Sequence, residues 1–184
     1  FILAITTLIF TLPYPYSPAQ LSLVNAITIG IPSFILAMEP NEDRISGHFL
    51  GNVLRRALPA ALADYLLVLG VMLFYLSFHL EYDMLSTIST GVMGVVGLMM
   101  VFRTSKPFNT LRIVMMSFLI AAFAVCYFFF PAYFTIEPLN TRGLLVFIVF
   151  ALLACSVFWA LRRFGLWISE RLLHRKSKRN QSPS

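Results

Sequence analysis

Charge is the scarcest property of this chain. Only 12% of its 184 residues are charged, whereas 59% are hydrophobic, and the mean hydropathy is +0.81. Soluble domains carry about 25% charged residues. The composition therefore excludes an ordinary soluble domain and predicts a protein that lies in a lipid bilayer.

Residues that carry enzyme chemistry are also few. The two cysteines, Cys126 and Cys155, lie within apolar runs and are predicted to be packing residues rather than a structural disulfide. His79 has no partner at the spacing that a zinc site requires. There is no Gly-rich phosphate loop and no Ser-His-Asp set, so we expect no nucleotide-binding or hydrolytic site within the chain itself.

Long apolar runs are abundant, and they predict an all-α, polytopic transmembrane helix bundle. A helix rises about 1.5 Å per residue, so roughly 20 apolar residues cross the hydrocarbon core. The chain begins at Phe1, already within an apolar run and without a basic leader, so we expect a fragment with a truncated first helix. The five full spans are predicted at residues 21–38, 58–80, 84–102, 113–130 and 144–161.

The runs divide the chain into five parts. They are a truncated transmembrane helix (1–12), an outer connector with a broken transmembrane helix (13–38), a cytoplasmic coupling loop (39–57), four further transmembrane helices (58–161) and a basic cytoplasmic tail (162–184).

The basic residues predict the orientation. Of 14 Lys and Arg residues, 13 lie in residues 39–57, 103–112 and 162–184, and only Arg142 lies on the other side. The positive-inside rule then gives a multi-pass protein of the plasma (inner) membrane with a cytoplasmic C-terminal tail. The net charge of +6 reflects this orientation and contact with the lipid bilayer, so no nucleic-acid partner is expected.

The helix at residues 21–38 is interrupted by the run Asn-Ala-Ile-Thr-Ile-Gly-Ile-Pro-Ser at 25–33. Asn25 and Thr28 are three residues apart and share a helix face. Pro32 has no N–H, so the carbonyl of Thr28 loses its usual donor. These oxygens suit a hard cation such as Ca²⁺, Mg²⁺, Na⁺ or K⁺. The pattern is equally compatible with a kinked helix whose Asn and Thr bond to neighbouring helices.

Asp64 is the only carboxylate within a predicted span. An intramembrane carboxylate is a functional candidate by default. Its position near the inner end of the span, within reach of Arg55 or Arg56, favours a structural role instead.

Small and hydroxyl-bearing residues predict close helix packing. Gly30 is expected to let the backbone turn and a neighbouring helix approach, and Gly91, Gly94 and Gly97 recur at three-residue spacing. The hydroxyls at residues 86–90 are compatible with an ion exit path, or with bonds to their own or a neighbouring backbone.

Three stretches carry a resemblance. Pro-Ala-Gln-Leu at 18–21, the interrupted core at 25–32 and Ala-Met-Glu-Pro at 37–40 resemble the sixth transmembrane helix of cation-transporting P-type ATPases. Residues 41–59 resemble a bacterial, calcium-transport-like branch of that family. The chain is then similar to the C-terminal transmembrane domain of such a pump, from the end of helix 5 to helix 10.

The resemblance implies an ATP-driven ion translocase. Mg-ATP and the catalytic aspartate would belong to upstream ATPase domains of the same chain, since no Asp-Lys-Thr-Gly motif occurs here, and residues 39–57 would contact the phosphorylation domain. The cation ligands carried over are Asn25 and Thr28. Ile29 occupies the position where the family has an aspartate, so we expect fewer or weaker divalent ions unless acid comes from elsewhere.

Two other functions stay open from the residues. A secondary transporter or channel subunit would often show paired broken helices, but only one such helix and no internal repeat are evident. A P-type relative that moves lipid or polyamine would fit the less acidic core that Ile29 produces.

Overall fold

The fold, seen in a computed structural model, is all-α over the residues described, as predicted. Five helices in this part are long and apolar enough to cross a membrane, and a shorter helix precedes them. The description covers residues 2–39, 49–78 and 81–180, with the side chains at 49–56, 162 and 164–180 left aside.

The elements follow one another with short connections. The second spanning segment is a composite of two α-helices and a π-helical turn that together cover Pro18–Ala37. The elements are α1 (Ile2–Ile9), α2 (Pro18–Asn25), the π-turn (Ala26–Gly30), α3 (Ile31–Ala37), α4 (Phe49–Phe78), α5 (Tyr82–Thr104), α6 (Thr110–Phe129), a 3₁₀ turn (Pro131–Phe134) and α7 (Thr141–Asn180).

Two helices extend beyond the predicted spans. The sequence places Pro59 in the first turn of its helix, but α4 begins at Phe49 and Pro59 lies inside it. The apolar residues before the span keep helical spacing, so the juxtamembrane segment and the span form one helix. Likewise α7 continues beyond Leu161 to Asn180 because no proline stops it.

Helix α5 forms the centre of the bundle. In its most apolar stretch 61% of the residues are buried, against 11% for α7. Three residues advance a helix by about 300°, so glycines at this spacing point to successive neighbours. Gly91 faces Phe147 of α7, Gly94 faces Phe123 of α6, and Gly97 faces the π-turn, which confirms their predicted role in close packing.

Gln20 ties three parts of the bundle together. Ser17 begins α2 as a capping box: its Oγ accepts from the Gln20 N–H at 3.3 Å, and Gln20 Oε1 accepts from the Ser17 N–H at 3.0 Å. The fully buried Gln20 side chain also accepts from Ser86 Oγ of α5 at 2.7 Å and donates to the carbonyl of Thr135 at 2.9 Å. These bonds fix the start of α2 against α5 and the α6–α7 connection.

The other hydroxyls near the start of α5 mostly bond to the protein. Thr87 Oγ1 accepts from the backbone N–H of Glu137 at 3.0 Å, and its carbonyl accepts from the Tyr127 hydroxyl at 3.0 Å. Thr90 donates to the carbonyl four residues earlier at 2.9 Å. Ser89 Oγ is buried without a partner among the described residues. This arrangement favours the packing alternative over an ion exit path.

An ion pair joins the other end of the composite span to the first turn of α6. Arg112 Nε donates to Glu39 Oε2 at 2.8 Å, and both side chains are about four-fifths buried, at 20% and 18% exposure. The Arg112 guanidinium also donates to the carbonyl of Pro107 at 2.9 Å. Glu39, the second residue after α3, is therefore held against α6.

Replacement of Gln20 by Leu is expected to lower the free energy of unfolding by about 2 kcal/mol, because Ser86 and the Thr135 carbonyl lose a buried partner. Thermal unfolding of the detergent-solubilised protein measures this. Ser22→Ala is the control, since exposed Ser22 bonds only to Pro18 of its own helix. An equal loss in both variants would contradict the proposed anchoring role of Gln20.

A double-mutant cycle with Glu39→Gln and Arg112→Gln is expected to give a coupling of about 1 kcal/mol, at the upper end for ion pairs that keep some contact with water. Chemical unfolding at low and high salt measures the coupling and its screening. Additive effects of the two substitutions would show that the pair does not stabilise the protein.

Candidate cation site

The predicted interruption is present, but the helix does not unwind. The N–H of Ile31 donates to the carbonyl of Ala26, five residues back. The backbone stays right-handed helical at both residues and at Gly30 (φ −61°, ψ −65°). The α-helix is therefore interrupted where the sequence predicts it, and the interruption takes the form of one widened turn in a continuous helical backbone.

Pro32 gives a physical reason for the widened turn. A proline ring in an α-helix clashes with the carbonyl four residues earlier, here that of Thr28, and supplies no N–H to it. An α-helical turn before Pro32 would therefore already lack one backbone hydrogen bond. A π-helical turn is then less costly in free energy relative to the α-helical one than it would be without the proline. Residue 32 would donate to the carbonyl of Thr28 in an α-helix, four residues back, or to that of Ile27 in a π-helix, five residues back. Because Pro32 has no N–H, whichever of these carbonyls it faces lacks that donor.

A cavity of about 310 Å³ lies between the π-turn, α4 and α5. We call it the π-turn cavity. Asn25, Thr28 and Ile29 line it from the composite span, Asp64 lines it from α4, and Gly97 lies among the α5 residues. The structure thus brings both sequence-predicted ligand residues to one cavity and adds a carboxylate.

Thr28 and Asn25 keep oxygen atoms available. Thr28 Oγ1 donates to the carbonyl of Val24 at 2.8 Å, which leaves its lone pairs free, and its methyl group packs onto Gly97. Exposed Asn25 makes no side-chain hydrogen bond at the start of the π-turn. Neither side chain bonds to a neighbouring helix in the described part of the chain.

The expected role of Gly30 is not found here. A Cβ atom at Gly30 would meet only the carbonyl oxygen of Asn25, at 3.8 Å, so no described helix approaches it closely. The close approach occurs at Gly97, where a Cβ atom would collide with the side chain of Thr28. The small residue that admits Thr28 belongs to α5 and not to the π-turn.

Asp64 reaches the π-turn cavity because α4 presents small residues beside it. Ala60 and Ala61, which lie four and three positions earlier on the same helix face, also line the cavity. Asp64 Oδ1 is buried and has no hydrogen-bond partner among the described residues. The predicted pairing with Arg55 or Arg56 falls on side chains outside the description.

The hydroxyl of Tyr16 is another buried group without a hydrogen bond in the described structure. Burial raises its pKa well above the ordinary value, and the charge of Asp64 is the second cause. Tyr16 therefore stays a neutral phenol, and its hydroxyl makes no hydrogen bond to the carboxylate of Asp64.

A larger cavity of about 440 Å³ between α5, α6 and α7 is unsuited to a cation. Its walls are mainly Met, Phe, Leu and Trp side chains, and its polar contributors include the basic residues Arg103 and Lys106. Positive charge there repels a cation. Of these two cavities, the π-turn cavity is the one with oxygen donors and a carboxylate.

Comparison with known proteins gives partial matches. No family model matches the chain, and no solved structure does. The chain is 30% identical over 110 residues to the probable cation-transporting ATPase exp7 of Streptococcus pneumoniae, and 39% identical over 49 residues to the calcium-transporting ATPase CtpE of Mycolicibacterium smegmatis. The first match covers 60% of this chain and 14% of the relative, and the second covers 27% and 6%. With five spanning helices, these partial homologies fit a C-terminal membrane fragment of a P-type ATPase.

Gly97→Ala is expected to cost about 1–3 kcal/mol in the free energy of unfolding, because its methyl group overlaps Thr28 and displaces a cavity wall. Gly30→Ala is the matched control. Its added methyl group makes only an ordinary van der Waals contact at a helical φ, so it should be neutral or stabilise by up to about 1 kcal/mol. Thermal unfolding compares the two, and equal destabilisation would contradict the close contact between α5 and the π-turn.

Proposed function

We propose that this chain is part of the membrane domain of an ATP-driven P-type cation pump, and that its cargo is a divalent cation such as Ca²⁺. The observation that carries the proposal is the π-turn cavity, which is lined by the Asn25 amide and by the Thr28 hydroxyl, whose lone pairs accept no hydrogen bond from the described residues. The names of the two partial relatives, a probable cation-transporting ATPase and a calcium-transporting ATPase, support the same class of cargo.

The donor types favour a hard cation. The cavity is lined by Asn25, which carries an amide oxygen, and by Thr28, which carries a hydroxyl. Calcium takes about six to eight oxygen ligands, more than these groups supply. The remaining ligands would come from water or from segments outside this chain.

The energy would come from phosphorylation elsewhere in the protein. Mg-ATP would bind to upstream ATPase domains of the same chain, where an aspartate would accept the phosphoryl group. Helix α3 connects the π-turn to Glu39, and Glu39 is held by Arg112. A force applied at the loop that follows Glu39 would therefore reach the cavity through one short, continuous helix. The loop itself, residues 40–48, lies outside the description.

The orientation is part of the proposal. With 13 of 14 basic residues on one side, the tail and the loop after Glu39 would lie in the cytoplasm and the protein in the plasma membrane. The loop would then face the compartment that holds ATP.

Thr28→Val is expected to raise the cation concentration for half-maximal phosphorylation of the full-length ATPase about fivefold to tenfold, since it removes one oxygen ligand and keeps the side-chain shape. Asn25→Ala should act in the same direction. The measurement is formation of the acid-stable aspartyl-phosphate from ATP at graded Ca²⁺, with Mg²⁺ held constant.

The matched control is Thr104→Val. Thr104 also donates to the carbonyl four residues earlier, at 3.0 Å, but it lies outside the cavity, so its cation dependence should stay unchanged. Wild-type protein that forms no phosphoenzyme would refute the pump. Phosphorylation that responds to phospholipid or polyamine but to no metal cation would refute the cargo.

A further inference from the structure

Asp64 is a charge that the described protein leaves uncompensated. A carboxylate within a membrane span is costly unless a counter-charge or hydrogen bonds stabilise it. One of its oxygens is buried without a partner, and the described residues that line its cavity include no Lys, Arg or His. Something other than these residues must neutralise the carboxylate.

A protonated Asp64 in a purely structural role fits less well. A carboxylic acid buried in place of an ion would be expected to use its oxygens in hydrogen bonds to neighbouring groups. The charge of Asp64 contributes to the raised pKa of Tyr16. The Tyr16 hydroxyl is nevertheless buried and makes no hydrogen bond in the described structure, to Asp64 or to any other group. No described group, Tyr16 included, donates a hydrogen bond to the buried Asp64 oxygen.

We infer that Asp64 is the anionic ligand of the cation site at the π-turn cavity, although it lies on α4 and not on the interrupted span. Three oxygen-bearing side chains, those of Asn25, Thr28 and Asp64, line the same cavity. A neutral amide and a hydroxyl alone bind divalent ions weakly, whereas a carboxylate in a low-dielectric setting adds a strong attraction. Ile29 lines this cavity with an uncharged side chain, so the interrupted span contributes no carboxylate and Asp64 of α4 provides it.

The assignment rests on the proposed cation pump and sharpens it. A single carboxylate with neutral oxygens gives the described walls one negative charge, which suits one divalent ion better than two. It also makes α4 part of the site, so movement of α4 relative to the π-turn would change the coordination.

Asp64→Asn in the full-length ATPase tests the inference, with Asp83→Asn as the matched control. Both substitutions remove one negative charge. Asp83 is exposed in the first turn of α5 and lies outside the cavity, so its replacement should not affect cation binding there. We expect Asp64→Asn to raise the half-saturating Ca²⁺ concentration for phosphorylation at least about tenfold, equivalent to about 1.4 kcal/mol, and Asp83→Asn to leave it unchanged. Thermal unfolding without Ca²⁺ separates a ligand from a structural group, because a ligand variant should lose mainly the stabilisation that Ca²⁺ confers.

The outcomes are distinguishable. Wild-type phosphorylation that depends on Ca²⁺, with the same half-saturation in Asp64→Asn, would overturn the assignment and leave the pump intact. Wild-type protein without cation dependence would refute the proposed function itself. Where Asp64→Asn fails to fold, Asp64→Glu keeps the charge and moves the carboxylate by one methylene. Altered Ca²⁺ half-saturation in that variant supports the assignment, and unchanged half-saturation overturns it.

Discussion

The requirement that backbone groups in a membrane find hydrogen-bond partners determines the centre of this fold. Pro32 removes one donor from the composite span, and the chain responds with a π-turn at Ala26–Gly30 instead of an unwound segment. The turn keeps the helix continuous, so the cost is confined to one or two carbonyl groups.

Gln20 sets the position of that turn. Its amide bonds at once to the α2 cap, to Ser86 and to Thr135, so the start of α2 cannot slide along α5 without loss of buried hydrogen bonds. The π-turn begins six residues after Gln20, a little more than one and a half helical turns. A shift of one residue at Gln20 would rotate Thr28 away from Gly97 by about 100°.

Much of the fold follows from sequence because its signals are large and local. Long apolar runs predict the five spans, and the predicted ends lie within a few positions of those of the apolar helical segments. Helix α4 differs because a proline signal favours a helix start at Pro59, whereas the helix period continues from Phe49. The sequence predicts an interruption at the π-turn. It does not predict the hydrogen-bond pattern there, because that depends on a small free-energy difference between an α-helical and a π-helical turn.

Only part of the candidate site could be predicted from the sequence, and the reason is a different one. Asn25 and Thr28 lie close together in the chain, so their shared face follows from helix geometry alone. Asp64 lies 36 positions after Thr28, and its approach depends on how α4 packs. The available signal was its solitary charge in an apolar span, together with Ala60 and Ala61 at helical spacing. That signal identifies an unusual residue without identifying its neighbours.

The cavity exists because α4 and α5 place small residues around it. Gly97 admits the Thr28 side chain against α5, and Ala60 with Ala61 opens α4 beside Asp64. Larger residues at these positions would fill the space and separate the oxygens, since packed interiors leave little free volume. In a membrane an empty space of this kind between apolar walls gains nothing for stability. Under the proposed function, a cation bound beside Asp64 would occupy this space and give the small residues around it a role.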